Sequence, residues 1–221
     1  MTAVLDHGFV ELVDSMGDDS SVVQAARVST GQGTKTPTKD AKLIRYLMRH
    51  RHTTPFEMVM FKFHVSLPIV VARQWVRHRM SSYNEFSGRY SIMPDKFYFP
   101  PVEQLKGQSK KNKQGSDGEV SAENVLWYLD NLKKWTKDGY TYYQEALERG
   151  ISKERARFFA ANTIYTEWYW KVDLKNLLDF LRLRSDKNAQ WEIQQYANVM
   201  LDLIQPIVPV TVAAWEEYGR P

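Results

Sequence analysis

The clearest pattern in the chain is an alternation of apolar and polar positions over residues 55–65. Side chains of an extended chain point alternately to opposite faces, so this pattern predicts a β-strand with one buried face. The face predicted to be buried carries Val59, Phe61, Phe63 and Val65, and the other carries Met58, Met60, Lys62 and His64. Aromatic and β-branched residues predict further strands over 7–15 and 163–172.

Apolar residues at helical spacing occupy much of the remaining chain. Asp173 is placed to cap one of the predicted helices, and Gly150 follows the longest one. Helices are predicted over residues 21–28, 39–50, 68–80, 122–148, 153–161 and 173–183. A last long helix carries an apolar stripe of Ile193, Tyr196, Ala197, Met200 and Ile204.

Polar segments with glycine, proline or serine predict loops over residues 29–38, 81–90 and 104–121. The third is rich in lysine and glycine, and we expect it to be exposed and mobile. Strands and helices do not alternate strictly, which favours an α+β fold over a doubly wound sheet. We expect a single domain over residues 1–221, with a central, mainly antiparallel sheet flanked by helices.

The composition of the chain excludes several kinds of functional site. The 221 residues include no cysteine, which excludes disulfides, cysteine-ligated metal centres and a cysteine nucleophile. No apolar run approaches the ~18 residues of a membrane span, and the N-terminus has no signal-peptide core, so we expect a cytoplasmic protein without a membrane partner. The net charge of +4 suits anionic ligands. Neither a Gly-x-Gly-x-x-Gly nor a Gly-Lys-Ser/Thr motif is present to account for nucleotide binding.

Hydrogen-bond donors concentrate in residues 73–90, which contain four of the 14 arginines. Arg73 and Arg77 are four residues apart and therefore share a face of the predicted helix. Guanidinium groups and serine hydroxyls bind phosphate oxygens, while Asn84 and Glu85 can bind a base or a ribose. The cluster therefore indicates a nucleotide site, although the same residues also suit a solvated basic surface with a polar turn.

The order of residues in this cluster resembles the signature of a known enzyme family. Residues 77–90 read Arg-His-Arg-x-x-Ser-x-Asn-x-x-Ser-x-Arg-Tyr, which is similar to the signature of the flavin-dependent thymidylate synthases. Segments 52–57, 156–157 and 183–193 also resemble segments of this family, in the same order. The resemblance extends from residue 9 to about residue 197.

The resemblance implies a reaction, its cofactors and an assembly. The family converts dUMP to dTMP, with methylenetetrahydrofolate as carbon donor and NADPH-reduced FAD as hydride source. Its members are homotetramers whose active sites lie where subunits meet. The residues expected to bind dUMP are Gln74, Trp75, Val76, Arg77, Glu85, Phe86, Ser87, Gly88, Arg89, Arg157 and Arg184. The residues expected to contact FAD are Ser29, His52, Thr54, Arg77, His78, Arg79 and Glu85.

Three further FAD contacts are expected at positions where the chain departs from the family pattern. Asp173 and Lys175 stand where relatives have Asn-x-Arg, and Asp179 stands where relatives have a later asparagine. Ala160 and Ala161 replace a Leu-Pro pair, which predicts that the helix over 153–161 continues where relatives stop.

Arg184 is the expected catalytic residue. A cation beside the uracil N3 and a carbonyl stabilises negative charge on the ring and favours attack at C5 without a covalent nucleophile. This matters because the chain has no thiol that could add to C6. Ser87 is the alternative nucleophile, but an unassisted hydroxyl is weak, so a role as substrate ligand is favoured.

Two other functions remain open at this point. The basic, aromatic-bearing surface could bind RNA or DNA, although a nucleic-acid groove would spread its charge along a face, so no nucleic-acid partner is expected. A flavoprotein oxidase with a different acceptor is the other alternative. His50, His52 and His64 could suggest a metal, but the pair His50-x-His52 has no carboxylate at ligand spacing and a lone histidine near a turn is usually structural, so no metal site is predicted.

Overall fold

An antiparallel sheet forms the centre of the computed structural model, which describes residues 1–29, 31 and 36–219. Its strands are β1 (Thr2–Val4), β2 (Gly8–Met16), β3 (Met60–Pro68), β4 (Ser82–Glu85) and β7 (Tyr165–Asp173). They lie in the order β1-β2-β3-β7-β4, and every neighbouring pair is antiparallel. A separate hairpin consists of β5 (Gly107–Gln108) and β6 (Ser116–Gly118).

Helices flank the central sheet, so the predicted α+β fold is confirmed. In the described residues they are α1 (Asp19–Val28), α2 (Pro37–Arg49), α3 (Ile69–Trp75), α4 (Ala122–Glu148), α5 (Lys153–Ala156), α6 (Leu174–Arg184), α7 (Trp191–Ile204) and α8 (Pro209–Tyr218). Short 3-10 helices cover Thr54–Met58, Val102–Gln104 and Arg157–Phe159.

The main core lies between one face of the sheet and helices that include α3, α6 and α7. The alternation predicted over residues 55–65 is confirmed within β3, where Phe61 and Phe63 are buried, but the predicted start is wrong because Thr54–Met58 form a 3-10 helix. Trp75, at the end of α3, packs beside them, with its ring centroid 5.1 Å from that of Trp170 and 4.7 Å from that of Phe180. Since a buried ring of this kind contributes about 1.5–3 kcal/mol, this packing fixes the end of α3 against α6.

Helix α3 ends at Trp75, so the prediction of a helix reaching Met80 is wrong. Its terminal carbonyl groups find partners outside the helix. The Tyr83 hydroxyl lies 3.2 Å from the Trp75 carbonyl oxygen and 3.1 Å from that of His78, and the Ser81 hydroxyl donates to the His78 carbonyl at 2.9 Å. These hydrogen bonds from Ser81 and Tyr83 occupy carbonyl oxygens that a longer helix would pair within itself.

The predicted loop over residues 81–90 contains β4, so that prediction is wrong for its first half. The strand is short and its sequence is Ser-Tyr-Asn-Glu, which lacks the apolar alternation of a typical strand. Pairing with β7 determines its structure, and Tyr83 lies opposite Trp170.

Helix α5 ends at Ala156 and is followed by a 3-10 turn, so the predicted continuation through Ala161 is wrong. The backbone of Ala160 is extended (φ −70°, ψ 130°), and the chain then turns towards β7. The Phe159 carbonyl oxygen lies so close to α4 that a Cβ at Gly139 would be 2.7 Å from it. Glycine at 139 therefore allows this turn to approach the long helix.

The polar segment 104–121 contains the β5–β6 hairpin, which the sequence did not predict. The side-chain amide of Gln108 donates to the carbonyl oxygens of Lys113 at 3.0 Å and Gly115 at 2.9 Å. The Ser109 hydroxyl donates to Asp117 at 3.0 Å. The mobility expected for this segment stays a prediction.

At the C-terminal end, the stripe predicted for α7 is confirmed, because all of its members are buried. Strand β1 and helix α8 were not predicted. Helix α8 starts with Pro209 and buries residues such as Val212 and Trp215. Part of the predicted loop over 29–38, namely residues 30 and 32–35, lies outside the described residues. None of the described helices is long and apolar enough to cross a membrane.

Candidate active site

The Arg184 side chain lies beside residues 74–78, at and just beyond the C-terminal end of α3. Its Nε donates a hydrogen bond to Nε2 of His78 at 3.0 Å, and one terminal nitrogen donates to the Gln74 carbonyl oxygen at 3.1 Å. Arg184 is the last residue of α6, on the same helical face as the buried Leu177 and Leu181. The packing of α6 therefore brings the guanidinium group to residues expected to bind dUMP and FAD.

The ring of His78 is neutral at neutral pH. Burial lowers the pKa of His78, and the charge of Arg184 lowers it further, to about 4, although Asp179 acts in the opposite direction. Burial also lowers the pKa of Arg184, but from a value so high that the guanidinium stays charged. Since Arg184 donates to Nε2 of His78, the ring proton must be on Nδ1.

Gln190 joins this cluster, although the sequence analysis did not single it out. Its side-chain oxygen accepts a hydrogen bond from the side-chain amide of Gln74. Gln190 is the N-cap residue of α7 and belongs to the segment 183–193 that resembles the family. That resemblance was the signal that could have marked it as a site residue.

A second group forms around the turn after β4. A Cβ at the buried Gly88 would be 3.6 Å from Cδ of Arg157, so the backbone of this turn lies against the Arg157 side chain. Arg89 forms an exposed ion pair with Glu154 at 3.5 Å. Because exposed pairs contribute little stability, Arg89 can exchange this partner for a phosphate at low cost.

Ser87 begins the turn that carries these residues. Its carbonyl oxygen accepts hydrogen bonds from the backbone N–H groups of Tyr90 at 3.1 Å and Ser91 at 3.0 Å. Its hydroxyl oxygen accepts a hydrogen bond from the backbone N–H of Arg89 at 3.3 Å. In the part of the chain that the structure describes, no histidine or carboxylate bonds to this hydroxyl. This environment suits a ligand rather than an activated nucleophile.

Glu85 and Phe86 lie where β4 leaves the edge of the sheet. A carboxylate oxygen of Glu85 accepts a hydrogen bond from the Thr166 hydroxyl at 2.7 Å. The backbone N–H of Phe86 donates to the Glu167 carbonyl oxygen at 2.8 Å. These contacts fix the start of the turn, with the Phe86 side chain partly exposed.

Trp75 and Val76 occupy the core more than the site. The Trp75 side chain is fully buried and Val76 packs against the main core, so only their backbone groups can reach a nucleotide. The side chains of the neighbouring Arg77 and Arg79 are exposed.

Four residues expected to contact FAD lie close to one another around a cavity of about 260 Å³. The cavity is lined by His78, Arg79, Met80, Ser81, Trp170, Val172, Lys175, Asn176 and Asp179. Arginine, lysine and serine donors beside apolar rings suit a molecule with phosphate groups and a flat aromatic ring. The lining therefore suits one part of FAD, since the cavity is smaller than the whole cofactor.

Both acidic departures from the family pattern have partners on α6. Asp179 forms an ion pair with Lys175 at 2.9 Å and lies 3.8 Å from Arg182. Asp173 caps α6, as predicted, by accepting a hydrogen bond from the Asn176 backbone N–H at 2.9 Å. Asp179 therefore adds no unpaired negative charge to the cavity, and Asp173 does not line it.

Six expected FAD contacts do not line this cavity, namely Ser29, His52, Thr54, Arg77, Glu85 and Asp173. The Ser29 hydroxyl donates to the Ala26 carbonyl at 2.9 Å. The His52 ring lies beside that of Tyr46, at 5.8 Å between centroids. Thr54 begins a 3-10 helix, and its neighbour Thr53 lines an adjacent cavity with Lys175 and Asp179. Within the described ranges, no group of three or more histidine, aspartate or glutamate side chains is placed to hold a metal ion.

The sheet, the donor-rich turn and the partly buried arginine indicate a nucleotide-binding protein of α+β fold. The family model described as thymidylate synthase complementing protein matches residues 11–210. A flavin-dependent thymidylate synthase from Gluconobacter oxydans is 52% identical over 218 residues, covering 97% of this chain and 72% of that protein. Another, from Thermus thermophilus, is 54% identical over 215 residues, covering 97% and 78%.

A solved structure of a nucleotide methylase is similar to this chain over its whole length. The crystal structure of the UMP/dUMP methylase PolB from Streptomyces cacaoi, bound with 5-Br dUMP, matches with a TM-score of 0.89 and 32% identity, covering 100% of this chain and 99% of that one. The chain belongs to the family of flavin-dependent thymidylate synthases. The family predicted from residues 77–90 is therefore confirmed, and with it the class of enzyme, a methyltransferase.

Proposed function

We propose that this chain converts dUMP to dTMP by electrostatic activation of the uracil ring at Arg184. Its family uses FAD as cofactor, with NADPH and methylenetetrahydrofolate as co-substrates. The observation that carries the proposed mechanism is the position of Arg184, a charged, partly buried guanidinium held by His78 and Gln74 in a chain without cysteine.

Residues around the turn after β4, together with Gln74, are proposed to bind dUMP. Ser87, Arg89 and Arg157 are proposed to bind the phosphate, because Arg157 packs against the turn that carries Ser87 and Arg89 and these side chains offer hydroxyl and guanidinium donors. Glu85 and the side chain of Gln74 are proposed to bind the base and sugar. Gln74 would exchange its hydrogen bond with Gln190 for one with the nucleotide.

Arg184 is proposed to stabilise the negative charge that develops on N3 and a carbonyl oxygen of the uracil. A fixed cation in a partly desolvated site stabilises such charge more strongly than water does, because it needs no reorganisation. The nucleophilic character of C5 then increases without addition of a protein nucleophile to C6. When bound, FAD supplies the hydride that completes the methyl group.

The remaining residues are proposed to hold FAD. Arg79, Ser81 and Lys175 offer donors to its phosphates around one cavity. Asp179 would remain paired with Lys175 or bind a ribose hydroxyl. Ser29, His52 and Thr54 belong to the proposal only through the family resemblance, since they lie outside that cavity.

A homotetramer in the cytoplasm, with sites between subunits, is also part of the proposal. Among the described residues, Arg184 and the turn at Ser87–Arg89 share no hydrogen bond or ion pair, so a second copy could supply one half of a site. Large aromatic side chains are exposed on α4 and on the 3-10 turn after α5, as expected of a surface that another subunit covers. They are Trp127, Trp135, Tyr142, Phe158 and Phe159.

The experiment that tests this function measures flavin absorbance, dTMP formation and the mass of the assembly. We expect the purified chain to show a flavin absorption band, or to gain it with added FAD, and to run near four chain masses. Mass spectrometry should detect dTMP from dUMP, methylenetetrahydrofolate and NADPH. UMP should be tested in parallel, because the similar PolB is a UMP/dUMP methylase. A chain that stays colourless with FAD, or forms no dTMP, would contradict the proposal.

A further inference from the structure

We propose that His78 is a positioning residue for Arg184, and that its neutral ring acts as the hydrogen-bond acceptor that orients the guanidinium. This inference rests on the proposed function of Arg184. It assigns to His78 a task towards another side chain, beyond the FAD contact expected from the family resemblance.

The geometry around Arg184 carries the inference. A guanidinium group has five N–H donors. Among the described residues, two of them are used, by Nε2 of His78 at 3.0 Å and by the Gln74 carbonyl oxygen at 3.1 Å. Both acceptors belong to residues 74–78, at and just beyond the C-terminal end of α3, and lie on one side of the Arg184 side chain. The other donors are therefore directed away from α3 and stay available for a planar ligand with carbonyl acceptors.

The position of the His78 ring is itself determined by the fold. Its ring makes an edge contact with Phe180 on α6, with centroids 4.9 Å apart. The Tyr83 and Ser81 hydroxyls bond to its carbonyl oxygen. His78 is therefore held from both β4 and α6, which makes it a rigid reference point for a long and otherwise flexible side chain.

Only the neutral ring can perform this task. A protonated imidazole has no acceptor atom and would repel the guanidinium. Burial and the charge of Arg184 both lower the pKa of His78, so the acceptor is present throughout the neutral pH range. The charged groups around the ring are Arg184 and Asp179, with Arg79 and Lys175 lining the same cavity.

A double-mutant cycle tests the inference. The variants are His78→Phe, Arg184→Lys and the double variant, with turnover measured at saturating dUMP and FAD. We expect His78→Phe to lower turnover by about 10- to 100-fold, as a misplaced catalytic group does. In the Arg184→Lys background the same change should alter turnover less than about twofold, because lysine has no Nε–H to orient.

His78→Gln and His7→Phe are the matched controls. Glutamine places an acceptor near the position of Nε2, so it should restore most of the turnover. His7 is an exposed histidine whose replacement should leave turnover unchanged. Flavin absorbance and thermal melting show whether each variant folds and retains FAD.

A spectroscopic measurement tests the same inference without turnover. In ¹⁵N-histidine-labelled protein, the His78 ring should be the Nδ1–H tautomer and should stay neutral down to about pH 5. A proton on Nε2, or equal effects of His78→Phe in both backgrounds, would overturn the inference. Near-normal turnover of Arg184→Ala, which removes the cation, would instead contradict the proposed role of Arg184, so the two failures are distinguishable.

Discussion

Both carboxylate oxygens of Asp173 accept hydrogen bonds from Asn176, one from its backbone N–H at 2.9 Å and one from its side-chain amide at 2.7 Å. Asp173 ends β7 and begins α6, the helix that carries Arg184 at its other end. This N-cap therefore stabilises the helix that places the proposed catalytic cation. It also uses the carboxylate that family resemblance assigns to FAD.

Asp173→Ala should destabilise the protein without weakening FAD binding. Loss of an N-cap costs about 1 kcal/mol, which a chemical unfolding curve would detect. Asp173→Ser, which retains a capping oxygen, should recover much of that stability. If the serine variant is stable yet binds FAD several-fold more weakly in a fluorescence titration, Asp173 contacts the flavin after all.

Ser87→Ala should weaken dUMP binding more than it slows the saturated reaction. The hydroxyl lies in a turn beside Arg89, with no base among the described residues to activate it. We expect the KM for dUMP to rise about tenfold, as the loss of a hydrogen bond to a charged group predicts, with kcat within about threefold of the parent. A complete loss of product at saturating dUMP would show that Ser87 is catalytic.

Gly139→Ala should destabilise the protein and raise the KM for dUMP. The added Cβ would lie 2.7 Å from the Phe159 carbonyl oxygen, two residues beyond Arg157. Overpacking of this kind costs about 1–3 kcal/mol, against about 1 kcal/mol gained in helix propensity. Lys133→Ala, at an exposed position of the same helix, is the control and should have little effect. Equal stability and KM in both variants would mean that the turn adapts freely.

The pKa of His78 predicts how stability depends on pH. It is lowered from 6.5 to about 4, so between these values the unfolded chain binds more protons than the folded one. The contribution of the neutral ring is therefore present above pH 6.5 and is lost as pH falls towards 4. Urea unfolding at pH 7, 6 and 5 should show a shrinking stability advantage of the parent over His78→Phe. A constant or growing difference would contradict the shift.

The sequence predicted best where one local signal agrees with the packing. In α6, the Asp173 cap and the apolar positions 174, 177, 178 and 181 are all confirmed, because the cap and the buried face lie in the same helix. In β3, the buried face follows the alternation of Phe61 and Phe63. Such local patterns are sufficient for the α+β fold class and for the central strands.

The failures have a common physical cause, which is tertiary interaction. Helix α3 ends at Trp75, whose carbonyl oxygen lies 3.2 Å from the Tyr83 hydroxyl of strand β4. Strand β4 is polar and exists through its pairing with β7. The contact between His78 and Arg184 joins residues 106 positions apart, so no local pattern could reveal it. The family signature identified both residues, but not their relationship.

The central claim is tested most directly by dTMP formation in the Arg184→Ala variant loaded with FAD. Product should be measured by mass spectrometry with saturating dUMP, methylenetetrahydrofolate and NADPH, beside the parent chain at equal flavin absorbance. We expect the parent to form dTMP and the variant to lose about 100-fold or more, since one preorganised charge contributes that much to such a reaction. Near-normal dTMP formation by the variant would contradict the claim that this guanidinium activates the uracil ring.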